Sequence, residues 1–578
     1  MCGIFGITEQ NPKLIKEIIN KCHHRGPDGS DIFYTENLTL GHNLLSITSG
    51  PKDGKQPWVS HKKNVLIYNG EIFNYKDLIE KYKTFFVPKT TCDTELLSWL
   101  LDHNPYEHVI KNVIDSMHSF VFYNRQENEL VLSRDHVGIK PLFFSTIKSG
   151  IIFSSEIKGL LSYVKNSNKI SRVALACTSL LGVNVVRETL FSGIYKVLPG
   201  ETIIYDLNRK KIKNSFRSLV KPSSNKKLDD EEFADITHKT ISNSLLGRRN
   251  FGIFLSGGVD SSLISYELNK NISGLKSFTN KMEPNVIIAG EDHNSDANIA
   301  KQYARHLDLN HTEVKITPDI IADNWDAAIN CIEEPRYNWN LPMYYYTNKF
   351  LSNDKITVTM SGDIGDEIFG GYQQYYNLKN MPNKPKKWRD FLNIWMRKYF
   401  APIQLNIKFN YNDLLDILEK TLPEDIWNPD DIANSAMALD CITTVSEDFF
   451  SRNDRYGMAF SMEGRFPLAS KKYMQYCLSI NSDYKIGKDF SQTKLPVKLS
   501  YKDKIPDYIF NKSKTGWSVP LIQWIRDSEV IKNKYIKTVK TKDGIQEILS
   551  KENYSGKMKQ LIVTWMFRSW SQQFNMYL

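Results

Sequence analysis

The sequence predicts two folds in series. The first is an α+β domain, a layered antiparallel β-sandwich flanked by helices; the second is an α/β domain with a mainly parallel sheet and a helical C-terminal part. Three observations carry this reading. The first ~205 residues are dominated by short β-branched or aromatic runs punctuated by Gly, Asn and Pro. Residues 215–230 (SFRSLVKPSSNKKLDD) are polar and aperiodic. Beyond them strand-like and helix-like patterns alternate, which implies a parallel sheet with helices on both faces. The expected organisation is one domain over 1–210, a linker over 211–230 and a second domain over 231–578.

In the first domain, strands are expected at Leu38–Ile47, Asn64–Tyr68, Ser119–Asn124, Glu129–Ser133, Leu142–Thr146, Ile151–Ser154 and Thr202–Asp206. Helices are expected at Pro12–Lys21 and Asp93–Asp102, where apolar residues recur at helical spacing. In the second domain Phe251–Leu255 leads into a helix from Ser261, Lys276–Thr279 into one near Ala297–Leu307, and Ile356–Met360 into another turn and helix.

The 41% hydrophobic and 24% charged content is that of a soluble globular protein. No apolar run approaches the ~18 residues of a membrane span, and the start lacks a secretory signal. Seven cysteines without CxxC spacing argue against a disulfide framework or structural zinc and for a cytoplasmic protein. The net charge of +10 is dispersed; its densest run, Asn383–Arg389, reads as a solvated face, so neither nucleic acid nor membrane is expected as a partner.

Cys2 is the first candidate catalyst. Removal of Met1 would place an α-amine and a thiol on one residue, a base beside its nucleophile. The second candidate is the run Phe251–Leu255 ending in Ser256-Gly257-Gly258-Val259-Asp260-Ser261-Ser262. Two glycines let the backbone approach a phosphate at a helix N-terminus, and three serines add hydroxyl donors. Asp260 would repel bare phosphate, so its expected role is to hold Mg²⁺. No Gly-Lys-Ser/Thr follows, which excludes a Walker A loop. A second glycine–acid loop, Ser361-Gly362-Asp363-Ile364-Gly365-Asp366, also follows a strand, so Asp366 can share that Mg²⁺.

With Cys2 and these two loops in this order, the chain resembles the glutamine-dependent asparagine synthetases over nearly its whole length. The resemblance rests also on His24-Arg25-Gly26-Pro27-Asp28, Asn69-Gly70-Glu71, Arg134–Leu142 and Ser155–Lys158 in a class II amidotransferase half. It implies that the Asn69 side chain and the Gly70 N–H form an oxyanion hole. It puts Leu44, Ile47, Glu71 and Asp93 at the glutamine site, Asp93 receiving the α-amino group. It implies that Leu255, Asn280, Ser361, Gly362 and Lys494 contact ATP. Asp363 would lie beside an acyl-adenylate, Glu333 (or its neighbour Glu334) would serve ammonia attack, and Lys514 would sit over the departing pyrophosphate. Asp454–Pro467 matches a helical block expected to be architectural. ATP and Mg²⁺ are the implied cofactors, glutamine and aspartate the small-molecule partners, and a homodimer is compatible with the resemblance.

The implied reaction begins with a Cys2 thioester that releases ammonia from glutamine. Ammonia then attacks β-aspartyl-AMP to give asparagine, AMP and pyrophosphate. Leu44 departs from this pattern, standing where an arginine usually clamps the glutamine carboxylate. Ser116–Phe120 and Pro335–Leu341 depart from it too. The rival readings are an amide-forming enzyme acting on another carboxylate and a nucleotide-binding relic with little glutaminase activity.

Overall fold

Gly3–Ile7 is buried at every position and runs through a six-stranded antiparallel sheet. The computed structural model describes residues 2–247, 249–288, 291–399, 409–512, 518–539 and 556–577. Across that first sheet the strands are Tyr195–Lys196, Phe143–Ile147, Gly150–Ser154, Gly3–Ile7, Leu38–Leu44 and Gly29–Thr35. A second antiparallel sheet orders Lys211–Arg217, Glu201–Asp206, Glu129–Arg134, Ser116–Asn124, Val65–Ile72 and Trp58–Val59. Ile4, Leu40 and Phe153 from the first sheet meet Ile67, Val121 and Leu132 from the second in one buried cluster. Each such side chain contributes about 1.5–3 kcal/mol on burial, so this layer holds the sandwich closed.

Helices cover the outer faces. Pro12–Lys21 starts where Asn11 accepts from the Leu14 N–H at 3.1 Å, with proline in the first turn, and it buries Ile15, Ile18 and Ile19. Tyr75–Tyr82 and Asp93–His103 pack on the second sheet through Leu78, Leu96, Leu97 and Leu100.

The predicted strands of this half are all present. Five more were not predicted, Gly3–Ile7, Gly29–Thr35, Trp58–Val59, Tyr195–Lys196 and Lys211–Arg217. Lys211–Arg217 is an exposed edge strand whose Lys- and Asn-rich sequence has no apolar alternation. It belongs to the sandwich, so the sheet runs seven residues into the segment expected as linker.

Beyond Asp230 a third sheet is wholly parallel, ordered Asn310–Ile316, Lys276–Met282, Phe251–Phe254, Val358–Met360, Glu463–Arg465. The chain adds strands to one side of Phe251–Phe254 and then crosses to the other side for Val358–Met360. The strand order reverses between these two neighbours, and ligands bind at the carboxyl ends of such a switch point. Both glycine–acid loops leave the sheet there.

Candidate active sites

Cys2 leads into the Gly3–Ile7 strand and is 7% exposed. Its N–H donates to Asn69 Oδ1 at 2.9 Å and its carbonyl accepts from Arg25 Nε at 3.2 Å. Leu44, Ile47, Gly70, Glu71 and Asp93, the residues that the resemblance puts around the nucleophile, line one cleft with Cys2. Gly70 has to be glycine, because a Cβ there would stand 2.3 Å from the Met117 carbonyl oxygen on the neighbouring strand. Asn69 is fully buried outside the lining of the cleft, with Nδ2 3.4 Å from Ser119 Oγ.

Asp93 opens its helix and accepts from Tyr68 Oη and the Ile72 N–H, each at 3.0 Å. Burial nevertheless pushes its carboxyl up to about 6. Burial also raises the Cys2 thiol, so the cleft needs a base to generate thiolate. Glu71 is raised well above the usual carboxylate range, by burial first and by Asp93 second. Among the described residues lining this cleft there is no Lys, Arg or His. The Leu44 position therefore leaves a substrate carboxylate without a facing cation.

One lining residue comes from the other half of the chain. Glu463 opens the edge strand of the parallel sheet and reaches the Cys2 cleft. Arg465, fully buried two residues on, donates to Glu463 at 2.6 Å and pairs with Glu71 at 3.4 Å. A residue of the block expected to be architectural thus lines the Cys2 cleft. No local pattern marks this, because the contact spans 394 residues.

A seam of buried charge joins the halves. Arg25 bonds Glu156 at 3.0 Å and Asp454 at 2.9 Å, and Arg455 bonds Glu333 at 2.8 Å. Burial works against the charge on Glu156, but Lys158, His24 and Arg25 outweigh it and hold its carboxyl well below the usual range. Glu333 belongs to this seam and not to the nucleotide cleft. Its two oxygens accept from the Ile157 and Lys158 N–H groups at 2.9 and 2.7 Å. Glu334 is fixed as well, accepting from the Leu190 N–H at 2.6 Å. The resemblance implies a role in ammonia attack for one of these two carboxylates; both are buried and accept from backbone donors of the first half.

The cleft where a nucleotide is expected lies at the switch point. Ser256, Asp260, Ser261, Asn280, Ser361, Gly362, Asp363 and Asp366 line it together. Gly257 turns the chain at φ +69°, a conformation that favours glycine. The Ser256 N–H donates to Ser261 Oγ at 3.2 Å, which braces the loop against the helix it precedes. The second loop closes on the first because Gly365 has no Cβ; one would lie 2.5 Å from Asp260 Cγ. Lys494 Nζ sits 2.5 Å from Asp260 Oδ2 and 2.8 Å from Asp366 Oδ1. Burial opposes its charge, but the two carboxylates outweigh burial and keep it protonated.

Gly258 caps the Val259–Asn269 helix and Ser262 is buried within it, both behind the cleft. Leu255 points into the core, fully buried, and Phe254 faces the cleft instead. Side chains alternate across a strand, so one residue of register decides which is seen by a ligand. Asn280 accepts from Thr347 Oγ1 at 2.8 Å, and its Nδ2 has no partner among the described residues. Lys514 lies outside the described residues. Tyr344, Phe449, Arg452 and Asn453 also line the cleft, although no motif singled them out.

An antiparallel sandwich with Cys2 on its rim, sharing a buried seam with a parallel sheet whose switch point carries two glycine–acid loops, defines a glutamine amidotransferase joined to a ligase. The glutamine amidotransferase domain family matches residues 1–216, and the asparagine synthase family matches residues 232–555, more than half of the chain. The chain belongs to the asparagine synthase family. It is 25% identical over 577 residues to the glutamine-hydrolysing asparagine synthetase 1 of Bacillus subtilis, covering 91% of this chain and 88% of that one. It is 26% identical over 473 residues to a putative asparagine synthetase of Methanocaldococcus jannaschii, covering 76% and 88%. To asparagine synthetase B of Escherichia coli it is 24% identical over 399 residues, covering 66% of each. Among the described residues no helix is long and apolar enough to cross a membrane.

Proposed function

We propose that this chain makes asparagine from aspartate, ATP and glutamine. The observation that carries the reading is the joining of two clefts. The strand bearing Glu463 and the helix bearing Asp454 and Arg455 connect a nucleophile cleft to a nucleotide cleft.

In the first cleft, removal of Met1 frees the Cys2 α-amine. That amine takes the thiol proton and the thiolate attacks the glutamine amide carbon. Asp93 holds the substrate ammonium, and Asn69 with the Gly70 N–H serves the oxyanion. The Cys2 α-ammonium so formed returns the thiol proton to the amide nitrogen, the C–N bond breaks and ammonia leaves. Water then hydrolyses the thioester to glutamate and the free thiol. In the second cleft the aspartate β-carboxylate attacks the α-phosphorus of ATP and pyrophosphate departs. Ammonia then displaces AMP from the β-aspartyl adenylate to give asparagine. The reacting groups are held in place and away from water, which supplies much of the rate.

Asp260 and Asp366 fit a Mg²⁺ site of the kind that uses one or two carboxylates plus substrate phosphates. Lys494 already holds one positive charge between them. Among the described residues no cluster of three or more metal-ligating side chains exists, so phosphate oxygens would complete the ion's shell. When bound, the ion neutralises the departing pyrophosphate. Lys494 would do part of that work itself, and the resemblance to the family implies that Lys514 shares it. Glu333 is assigned to holding the seam. The boundary between the halves is placed after Arg217, where the sandwich ends.

The deciding measurement is ATP–pyrophosphate exchange dependent on aspartate. Silence with aspartate, or exchange with a different carboxylate only, would overturn the reading. Cys2→Ala is expected to lose glutamate release and glutamine-dependent synthesis while keeping synthesis from ammonium.

A further inference from the structure

We infer that Arg452 binds the α-carboxylate of the acceptor amino acid, and so makes the synthetase cleft select an α-amino dicarboxylic acid over a simple carboxylic acid. The inference rests on the synthetase reading above and assigns a residue that no motif marked.

The helix Ser451–Ala459 continues a π-helical turn, Cys441–Phe450. Wide turns of this kind re-aim side chains and recur at functional sites. Here Phe449, Arg452 and Asn453 face the nucleotide cleft, whereas Asp454 and Arg455 turn to the buried seam. Arg452 is 6% exposed, and its guanidinium carbon lies 4.1 Å from the Tyr344 ring centroid and 5.2 Å from that of Phe449. Two aromatic neighbours hold the cation flat and dry. Nη1 donates to Asp448 Oδ2 at 3.3 Å. Nε is buried and has no hydrogen-bond partner among the described residues.

A buried guanidinium N–H without an acceptor is costly and therefore uncommon. A planar guanidinium presents its donors as a fork that matches a carboxylate. The phosphate end has its own cation in Lys494 and its own loop, Ser256–Ser262, which leaves Arg452 for the acceptor. Asp363 supplies the opposite charge on the same cleft. Its Oδ2 accepts from Ser361 Oγ at 2.8 Å and from Asn453 Nδ2 at 2.6 Å. An acceptor carrying both an α-carboxylate and an α-ammonium would thus meet a guanidinium and a carboxylate.

The test is aspartate against β-alanine, which is aspartate without its α-carboxylate and keeps the carboxyl to be activated. Both are run in ATP–pyrophosphate exchange with the wild-type chain, Arg452→Met and Arg452→Lys. Unfolding midpoints with and without ATP report whether each variant is folded. Wild type is expected to prefer aspartate by roughly 100-fold, the value of a charge-assisted pair. Arg452→Met should bring that preference to within a few-fold by raising the aspartate KM, with the ATP KM unchanged, and Arg452→Lys should restore part of it. A folded Arg452→Met that keeps the preference, or one that loses ATP affinity with its aspartate KM unaltered, overturns the assignment. A wild-type chain silent with aspartate overturns the synthetase reading and this inference with it.

Discussion

Arg25 and Asp454 are 429 residues apart in the chain and 2.9 Å apart in space, both buried at the seam between the two halves. The same guanidinium donates to the Cys2 carbonyl and to Glu156. Asp454 lies two residues from Arg452, which faces the nucleotide cleft. One helix therefore touches both chemistries.

Asp454→Asn should uncouple them. Breaking one partner of a buried pair typically costs ~3–5 kcal/mol, because the remaining charge stays desolvated. The variant is expected to unfold at lower denaturant and to lose glutamine-dependent synthesis more than ammonium-dependent synthesis. Equal loss with both nitrogen donors would show that the pair only stabilises the fold.

Glutamine use should be pH-dependent if, as proposed, Asp93 holds the substrate ammonium. Its carboxyl must be ionised to hold an ammonium, and burial raises it to about 6. Below that pH the group is neutral in the free enzyme, so kcat/KM for glutamate release should fall as pH drops through about 6. Above it the profile should be flat with respect to this group. Asp93→Asn should depress kcat/KM across the range and remove that acid limb; an unchanged limb would exclude Asp93 as its source.

Leu44→Arg should improve the glutamine site. The described lining of the Cys2 cleft has three carboxylates, Glu71, Asp93 and Glu463, and no cation. A guanidinium there would pair with the substrate carboxylate, and KM for glutamine is expected to fall by about tenfold. Ammonium-dependent synthesis should not change. A glutamine KM that stays where it was would mean that the carboxylate is held elsewhere.

Asp366→Asn should cripple adenylation. Asp366 shares Lys494 with Asp260 at the phosphate end. Loss of one such charge is expected to slow ATP–pyrophosphate exchange by roughly 10²-fold or more. Glutamate release measured without ATP should be intact, and exchange at wild-type rate would remove Asp366 from the site.

Much of both clefts was legible in the sequence by itself. Asp93 opens a helix that the sequence predicts. Asn69-Gly70-Glu71 lie in the strand Val65–Ile72, which runs past its predicted end at Tyr68, and Cys2 precedes a strand that was not predicted. The two glycine–acid loops announced a parallel sheet and its ligand edge, because a strand, a glycine turn and a helix N-terminus are consecutive in the chain. These are local signals, carried by spacing and backbone preference. Which residues stand across a cleft is another matter. Glu463 lines the Cys2 cleft, Arg465 pairs with Glu71, Glu333 is drawn into the seam, and the side chain of Phe254 lines the second cleft while that of Leu255 is buried. Those outcomes depend on packing between elements hundreds of residues apart and on strand register. Buried charges must find partners wherever the fold brings them, so only the tertiary structure could decide them.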